Sequence, residues 1–373
     1  MKIAVIGGGG VGSAAARHLA RDGHDVVVLE QFSVDHDRGS SYGESRVTRK
    51  TYADELLTEL MTAAYPLWDD LQSEAGEELF VRAGGLYFGP EGHPDLLSIE
   101  AALAKFGVPY DRLSAAEAQR RFPAFRLKPG EIGIAQADTG FLRASACVRA
   151  NLRLAVQYGA EIREQTVVRS FAPEGSGFRI QTEQGDLFAD RLVVTAGPWL
   201  ARLVSGLPLV VSRQQYVHLK PARNEELFKP GAFPVWIEAK SEAVGEMYGF
   251  PIDGRVPGVK LAQHRQGPSY DPDHVDRELD PNTAEMLRAY ARERMPDLSD
   301  EISFSKTCLY TNTPDRVFIL DEVPGRPGAV TVGGLCGEGF KFTVLFGKIA
   351  ADWAVGKKPR FDLSRFRATR FSA

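Results

Sequence analysis

Lys2-Ile-Ala-Val-Ile6, Gly7-Gly-Gly-Gly-Val-Gly12, Ser13-Ala-Ala-Ala-Arg-His-Leu-Ala20 and Val26-Val-Val-Leu-Glu30 follow one another at the start of the chain. The first run is short and almost wholly apolar, as a strand in a buried parallel sheet requires. Gly7, Gly9 and Gly12 then set out Gly-x-Gly-x-x-Gly, and a strong helix-forming run follows. Gly7 permits the tight turn, Gly9 lets backbone approach a pyrophosphate, and Gly12 lets the helix pack closely on the strand. The free amides at the helix start, around Gly10 and Val11, sit at the positive end of its dipole and suit phosphates. Glu30 closes the second apolar strand, where its carboxylate can accept hydrogen bonds from ribose hydroxyls. A glycine turn serving packing alone would not require that acid. Its charge also disfavours a 2′-phosphate, so NADP is not expected.

An NAD enzyme normally continues strand, helix, strand directly after such an acid. Here residues 31–48 are polar and glycine-bearing, with no apolar period, and suit backbone wrapped along an extended cofactor. The nucleotide fold resumes late. Asp190-Arg-Leu-Val-Val-Thr-Ala-Gly197 reads as a strand ending in a small-residue turn. Gly328-Ala-Val-Thr-Val-Gly-Gly334 reads as another, running through Leu335-Cys-Gly-Glu-Gly-Phe-Lys341 into an apolar helix over residues 342–355. The glycines at that helix start can lay amides against a cofactor ring carbonyl. A cofactor fold interrupted in this way fits FAD. The expected class is α/β and α+β. A discontinuous Rossmann-type FAD-binding domain is expected over residues 1–80, 143–211 and 305–373, and a mixed-sheet substrate domain over 81–142 and 212–304. Strand-like runs in the latter fall at residues 82–88 and 216–219, Phe233-Pro-Val-Trp-Ile-Glu238 and Glu246-Met-Tyr-Gly-Phe250, with an amphipathic helix over 281–295.

The 373 residues suffice for two such lobes. A net charge of −4, with both signs interspersed, argues against nucleic acid, which needs a clustered positive surface. Arg365, Arg367 and Arg370 read as a solvated tail. Cys147, Cys308 and Cys336 are too few and too unevenly spaced for a disulfide framework or a metal site, and suit a reducing compartment. The first strand begins too early to leave room for a signal or transit peptide. No apolar run reaches the about 18 residues of a membrane span, and Phe371-Ser-Ala373 is not a peroxisomal address. A cytoplasmic monomer is expected, with no metal, nucleic-acid or membrane partner.

Five segments carry a further likeness: Gly39-Ser-Ser-Tyr-Gly-Glu-Ser-Arg-Val-Thr-Arg49, Tyr248-Gly-Phe-Pro251, Lys260-Leu-Ala-Gln-His264, Thr307-Cys-Leu-Tyr-Thr311 and Gly337-Glu-Gly-Phe-Lys341. In this order they resemble the monomeric sarcosine oxidase and N-methyltryptophan oxidase family, within the D-amino acid oxidase superfamily. The likeness spans nearly the whole chain. It implies FAD held through a cysteine thioether to its 8α carbon. It also implies oxidation of secondary amines of amino acids to imines, with molecular oxygen as acceptor and hydrogen peroxide as product. By motif, Cys308 is the implied attachment point. On the residues alone it is either an ordinary buried thiol or a thiolate favoured by Lys306 two positions before it.

Arg49 and Lys341 match the pair that grips the substrate carboxylate, one a planar fork and the other a point charge. Read alone, each is as well suited to a surface salt bridge. Lys260 matches the lysine that promotes oxygen activation, where a cation stabilises developing negative charge. Tyr248 and His264 match residues shaping the substrate pocket, and Arg46 one near the flavin that influences ionisation of the amine. Ser40, Gly337, Gly339 and Lys341 fall in matched segments bordering the cofactor. Two departures stand out, because the family commonly has histidine where this chain has Tyr42 and Glu338. Both residues are expected to face substrate. Glu338 either meets a cationic part of a substrate other than sarcosine or pairs with a nearby base, the latter being favoured. Sarcosine is not the expected substrate in either case. Rival readings are a flavin dehydrogenase using another acceptor and a biosynthetic enzyme oxidising a cyclic imino acid. A tRNA-modification module and an NAD dehydrogenase fit the residues less well.

Overall fold

A computed structural model of the chain describes residues 1–241, 245–264 and 267–371, so the reading of residues 372–373 lies outside the described residues. The strand Lys2–Ile6 occupies the middle of a six-stranded sheet. Asp25–Leu29 and then Glu161–Arg163 lie on one side of it, and Arg191–Val194, Arg326–Gly333 and Ile319–Val323 on the other. All neighbours are parallel except the last pair, a hairpin. Side chains alternate across a strand, and both faces are covered. Ile3 and Val5 pack under the helices Gly10–Arg21, Glu55–Ala75, Ala144–Gln157 and Thr343–Ala354. Ala4 and Ile6 pack against a three-stranded antiparallel sheet, Val168–Glu174, Gly177–Thr182 and Gly185–Ala189. That double burial is why these strands read as unbroken apolar runs.

The second sheet has eight strands, in the order Leu298–Asn312, Val210–Pro221, Val259–His264, Gly245–Phe250, Val235–Ser241, Gly85–Pro90, Glu131–Gln136 and Asp111–Ser114. It is mixed, since Val235–Ser241 runs parallel to Gly85–Pro90 while the remaining pairs are antiparallel. Strands Val210–Pro221 and Leu298–Asn312 run side by side across the expected domain limits at 211/212 and 304/305, which places Cys308 in this larger sheet. One face packs on an aromatic core of Phe88, Phe125, Trp236 and Tyr290 beneath the helix Pro281–Arg294. The other face looks toward the first sheet. A small sheet of Arg46–Thr48, Gly140–Leu142 and Phe80–Val81 joins the lobes and carries Arg46 and Arg49 to their seam.

The arginine-rich end is not the expected solvated tail. Arg365 pairs with Asp54 and Arg370 with Asp315, while Phe366 is buried against Phe318 and Phe346. The apolar ring between the arginines docks the segment and brings each charge to an acid. Among the described residues, no helix is long and apolar enough to cross a membrane.

Arg294 ties the last turn of its helix to the sheet, donating to both Glu131 oxygens at 2.7 and 2.8 Å and to Glu238 at 2.5 Å. All three residues are buried, so removing the cation strands two carboxylates. Arg294→Met is expected to cost about 3–5 kcal/mol in denaturant unfolding. Arg292→Gln, on the exposed side of the same helix, should leave the midpoint almost unchanged.

Candidate active site

A single continuous cavity runs along the seam, lined by Gly7, Gly9, Gly10, Val11, Glu30 and Ser40 from the first lobe. Tyr42, Arg46, Arg49, Tyr248, Lys260, His264 and Cys308 line it further on, as do Gly337, Glu338, Gly339 and Lys341. Of the residues expected at the site, Gly12 alone stands behind the wall, where a Cβ would lie 1.9 Å from the Gly7 carbonyl oxygen. Gly7 itself adopts φ +96°, with a would-be Cβ 2.6 Å from the Thr195 carbonyl oxygen. The helix Gly10–Arg21 starts at the cavity with no side-chain cap from Gly9. Ser41 Oγ accepts from the Gly10 amide at 3.0 Å. Glu30 is fixed by the amides of Gly8 and Phe32, at 2.8 and 3.0 Å, one on each oxygen. Each carboxylate oxygen keeps further acceptor capacity. An uncapped helix start, a side-chain-free cradle and a pinned carboxylate fit the pyrophosphate and ribose of a dinucleotide.

Strand pleat decides which side chains reach the other end. Lys260 and His264 on one strand oppose Phe250 and Glu246 on the next, and all four line the cavity. Lys260 Nζ donates to Ser45 Oγ and to the Ser45 carbonyl, each at 3.1 Å. It also lies 4.1 Å from the Tyr216 ring centroid and 4.7 Å from that of Phe250. Burial, with the Arg46 charge adding to it, pushes this ammonium down to about 7. The Arg46 guanidinium donates to the carbonyls of Ser40, Tyr42 and Ser45 at 3.0, 2.7 and 2.9 Å. Its Nη2 stands 3.8 Å from Cys308 Sγ. The cation beside this thiol is therefore Arg46; Lys306 turns outward to Asp37 at 2.8 Å. Tyr42 donates its hydroxyl to the Thr307 carbonyl, and burial drives its phenol well above the ordinary range. Cys147 is buried in the helical core. Cys336 lines the cavity, its thiol 3.1 Å from the Gly334 carbonyl oxygen.

Arg49 and Lys341 come together near His264, on either side of Glu338. The Arg49 guanidinium lies 4.2 Å from the Tyr52 ring centroid and donates to the Thr51 carbonyl, while its Nε has no partner. Lys341 Nζ donates to the Glu338 carbonyl at 3.0 Å, and burial pushes it down to about 8. The Glu338 carboxylate stands 4.0 Å from Arg49 and 3.8 Å from His264. Burial alone would raise that carboxyl, yet Lys341, His264 and Arg49 hold it below its ordinary range. Three neighbours had no place in the sequence reading. Arg316, at φ +58°, approaches His264 Nε2 at 2.8 Å, Tyr310 Oη lies 3.2 Å from His264 Nδ1, and Glu246 faces His264 across the sheet. Arg316 lies in a turn after a strand, and only the pleat of two other strands would have pointed to Glu246.

The FAD dependent oxidoreductase (DAO) family model matches residues 2–353. The chain belongs to this family. The monomeric sarcosine oxidase of Streptomyces avermitilis is 33% identical, over 100% of this chain and 98% of its own length. The N-methyl-L-tryptophan oxidase of Salmonella heidelberg is 30% identical, over 99% and 98% respectively. Among solved structures, NikD, an unusual amino acid oxidase essential for nikkomycin biosynthesis, superposes with a TM-score of 0.85. It is 28% identical, over 98% of this chain and 96% of its own. The family makes this chain an FAD-dependent oxidoreductase, and the glycine cradle and Glu30 fit that dinucleotide.

In this DAO-family chain the histidine geometry has one consistent proton arrangement. A guanidinium only donates, so His264 Nε2 accepts from Arg316 and Nδ1–H donates to Tyr310. Burial keeps the ring's proton affinity below its ordinary value. Long-range ¹⁵N NMR at pH 7 should show a neutral ring protonated at Nδ1, titrating only below about 6.5. Arg316→Met removes a repelling charge and should move that titration upward. A ring protonated at Nε2 contradicts the arrangement.

Proposed function

We propose that this enzyme oxidises the amine of a small amino acid, secondary or N-methylated, to an imine with production of hydrogen peroxide. The observation that carries it is one cavity lined by three buried cations, Arg49, Lys341 and Lys260, of which the first two are proposed to bind a carboxylate. Bound FAD would supply the two-electron acceptor for the carbon beside nitrogen, and the protein supplies orientation and electrostatics. Arg49 offers a planar fork to the substrate carboxylate and Lys341 a point charge. Arg46 and Lys260 place positive charge near the amine and so favour its neutral, oxidisable form. Tyr248 and His264, with Tyr42 and Glu338 beyond them, wall the pocket. Lys260 then presents a cation where reacting oxygen gains negative charge. The names of the Streptomyces and Salmonella relatives, both N-methyl amino acid oxidases, support a secondary amine. Residues 1–80, 143–211 and 305–373 are proposed as the cofactor domain, which lends Arg49 and Lys341 to the substrate, and 81–142 and 212–304 as the substrate domain. We take the enzyme to act as a monomer, as the name of the Streptomyces relative says of that protein.

Cys308 is proposed as the covalent anchor of the flavin, supported by its place in the cavity wall and by the Arg46 guanidinium 3.8 Å from its sulfur. Acid precipitation of the purified enzyme should therefore give a yellow pellet, and Cys308→Ser should release the colour to the supernatant. Wild-type colour in the supernatant would remove the anchor while leaving FAD in place. Absence of flavin altogether, even after FAD is added back, would remove the oxidase reading.

Lys260→Met is expected to slow reaction of the reduced enzyme with oxygen by about 10²–10³-fold, with reduction by substrate changed far less. The lysine is charged below its depressed pKa of about 7, and an anion bound beside it raises that value. Its contribution is thus fully present at low pH and lost as pH rises. Stopped-flow rates should fall toward alkaline pH in the wild type and be flat in the variant. Equal slowing of both half-reactions contradicts this role.

A further inference from the structure

Glu246 has no part in the reading above. Its strand turns Glu246, Tyr248 and Phe250 toward the cavity and Met247 into the core behind the sheet. The carboxylate is half-buried, and no other described residue forms a hydrogen bond or ion pair with it. Its charge nevertheless acts on Arg49, Lys341 and His264, which places it in the same chamber. Glu338 adds a second carboxylate there, shared loosely between Arg49 and His264. Arg49, which lines this chamber, is only 7% exposed, and its Nε is buried without a partner. Tyr248 lines the space near both acids, and Tyr87 lies behind it with its ring centroid 5.4 Å from the Arg49 guanidinium.

Two acids beside a carboxylate-binding pair repel a small monocarboxylate by proximity alone. An unpartnered, half-buried carboxylate is also costly until a cation reaches it. We infer that Glu246, seconded by Glu338, is a specificity-determining subsite for a cationic group on the substrate. The preferred substrate is then an N-alkyl or cyclic amino acid with an ammonium or guanidinium side chain. Aromatic walls suit such a cation. This inference rests on the amino acid oxidase reading and narrows its substrate class.

The test compares racemic Nα-methyl-lysine with racemic Nα-methyl-norleucine, matched in chain length and differing in the terminal ammonium. Turnover by the purified flavoenzyme is measured alongside binding, read from the flavin absorbance. A wild-type preference in kcat/KM of about tenfold or more for the lysine derivative is expected, the effect of one charged hydrogen bond. Glu246→Gln should bring that ratio, and the ratio of dissociation constants, to within about threefold of one. Glu246→Lys should invert it. Equal turnover of both compounds by the wild type, or a ratio unmoved in Glu246→Gln, overturns the subsite while sparing the oxidase reading. Turnover of neither, with no binding, overturns the oxidase reading and the subsite with it. Should Glu246→Gln fail to fold, the wild-type ratio decides alone.

Discussion

The first helix sits on the end of the first strand with no room for a side chain between them. A Cβ on Gly12 would lie 1.9 Å from the Gly7 carbonyl oxygen and 2.6 Å from Thr195 Oγ1. That approach sets the angle at which the helix leaves the strand, and so aims its free amides into the cavity. The same intimacy recurs on the far side of the helix, where a Cβ on Gly347 would lie 2.5 Å from Ala14 Cβ. First and last helices are thus clamped together, although they come from opposite ends of the chain. The segment Gly337–Lys341 immediately precedes that last helix, so the position of Lys341 in the cavity is inherited from the Gly347 contact.

The second sheet contributes differently. Its long antiparallel strands present alternate residues to the cavity, and the pleat fixes what stands beside what. Phe250 faces Lys260, and Glu246 faces His264, because the register of two strands says so. Behind the sheet, the alternate side chains enter an aromatic core that cannot shift without repacking. Lys260, on a surface so braced, keeps its place although the charge of Arg46, from the small sheet, repels it.

The first sheet was legible because every local signal there agrees: apolar strands, obligatory glycines and an acid at a fixed remove. Most site residues were legible only through motif likeness, since Arg46 with Arg49, Lys260 and Lys341 come from three separate parts of the chain. The long helix Glu55–Ala75 has no counterpart in the sequence reading, for Pro66 breaks the pattern and tertiary packing of Leu60, Trp68 and Leu71 sustains it. The arginine-rich end was misread because charge spacing cannot show that Phe366 between the arginines has a buried seat. Lys306 was the nearer cation to Cys308 in sequence, whereas folding brings Arg46 to the thiol instead.

Four cations, Arg46, Arg49, Lys260 and Lys341, line one cavity, the first half-buried and the others buried. Carbonyls, aromatic faces and two loosely placed carboxylates, Glu338 and Glu246, meet them only in part. The remainder appears as depressed proton affinity in both lysines, about 7 and about 8. Any anionic ligand entering the cavity relieves that deficit and raises the proton affinity of the lysine it approaches. Binding of an anion here is therefore linked to uptake of a proton, by the same reciprocity that links pKa shifts to stability. A histidine at position 338 would change this balance at Lys341, which a neutral imidazole could not hold as the Glu338 carboxylate does. With glutamate there, and Glu246 opposite, the chamber carries enough negative charge of its own that an anionic group alone satisfies it poorly.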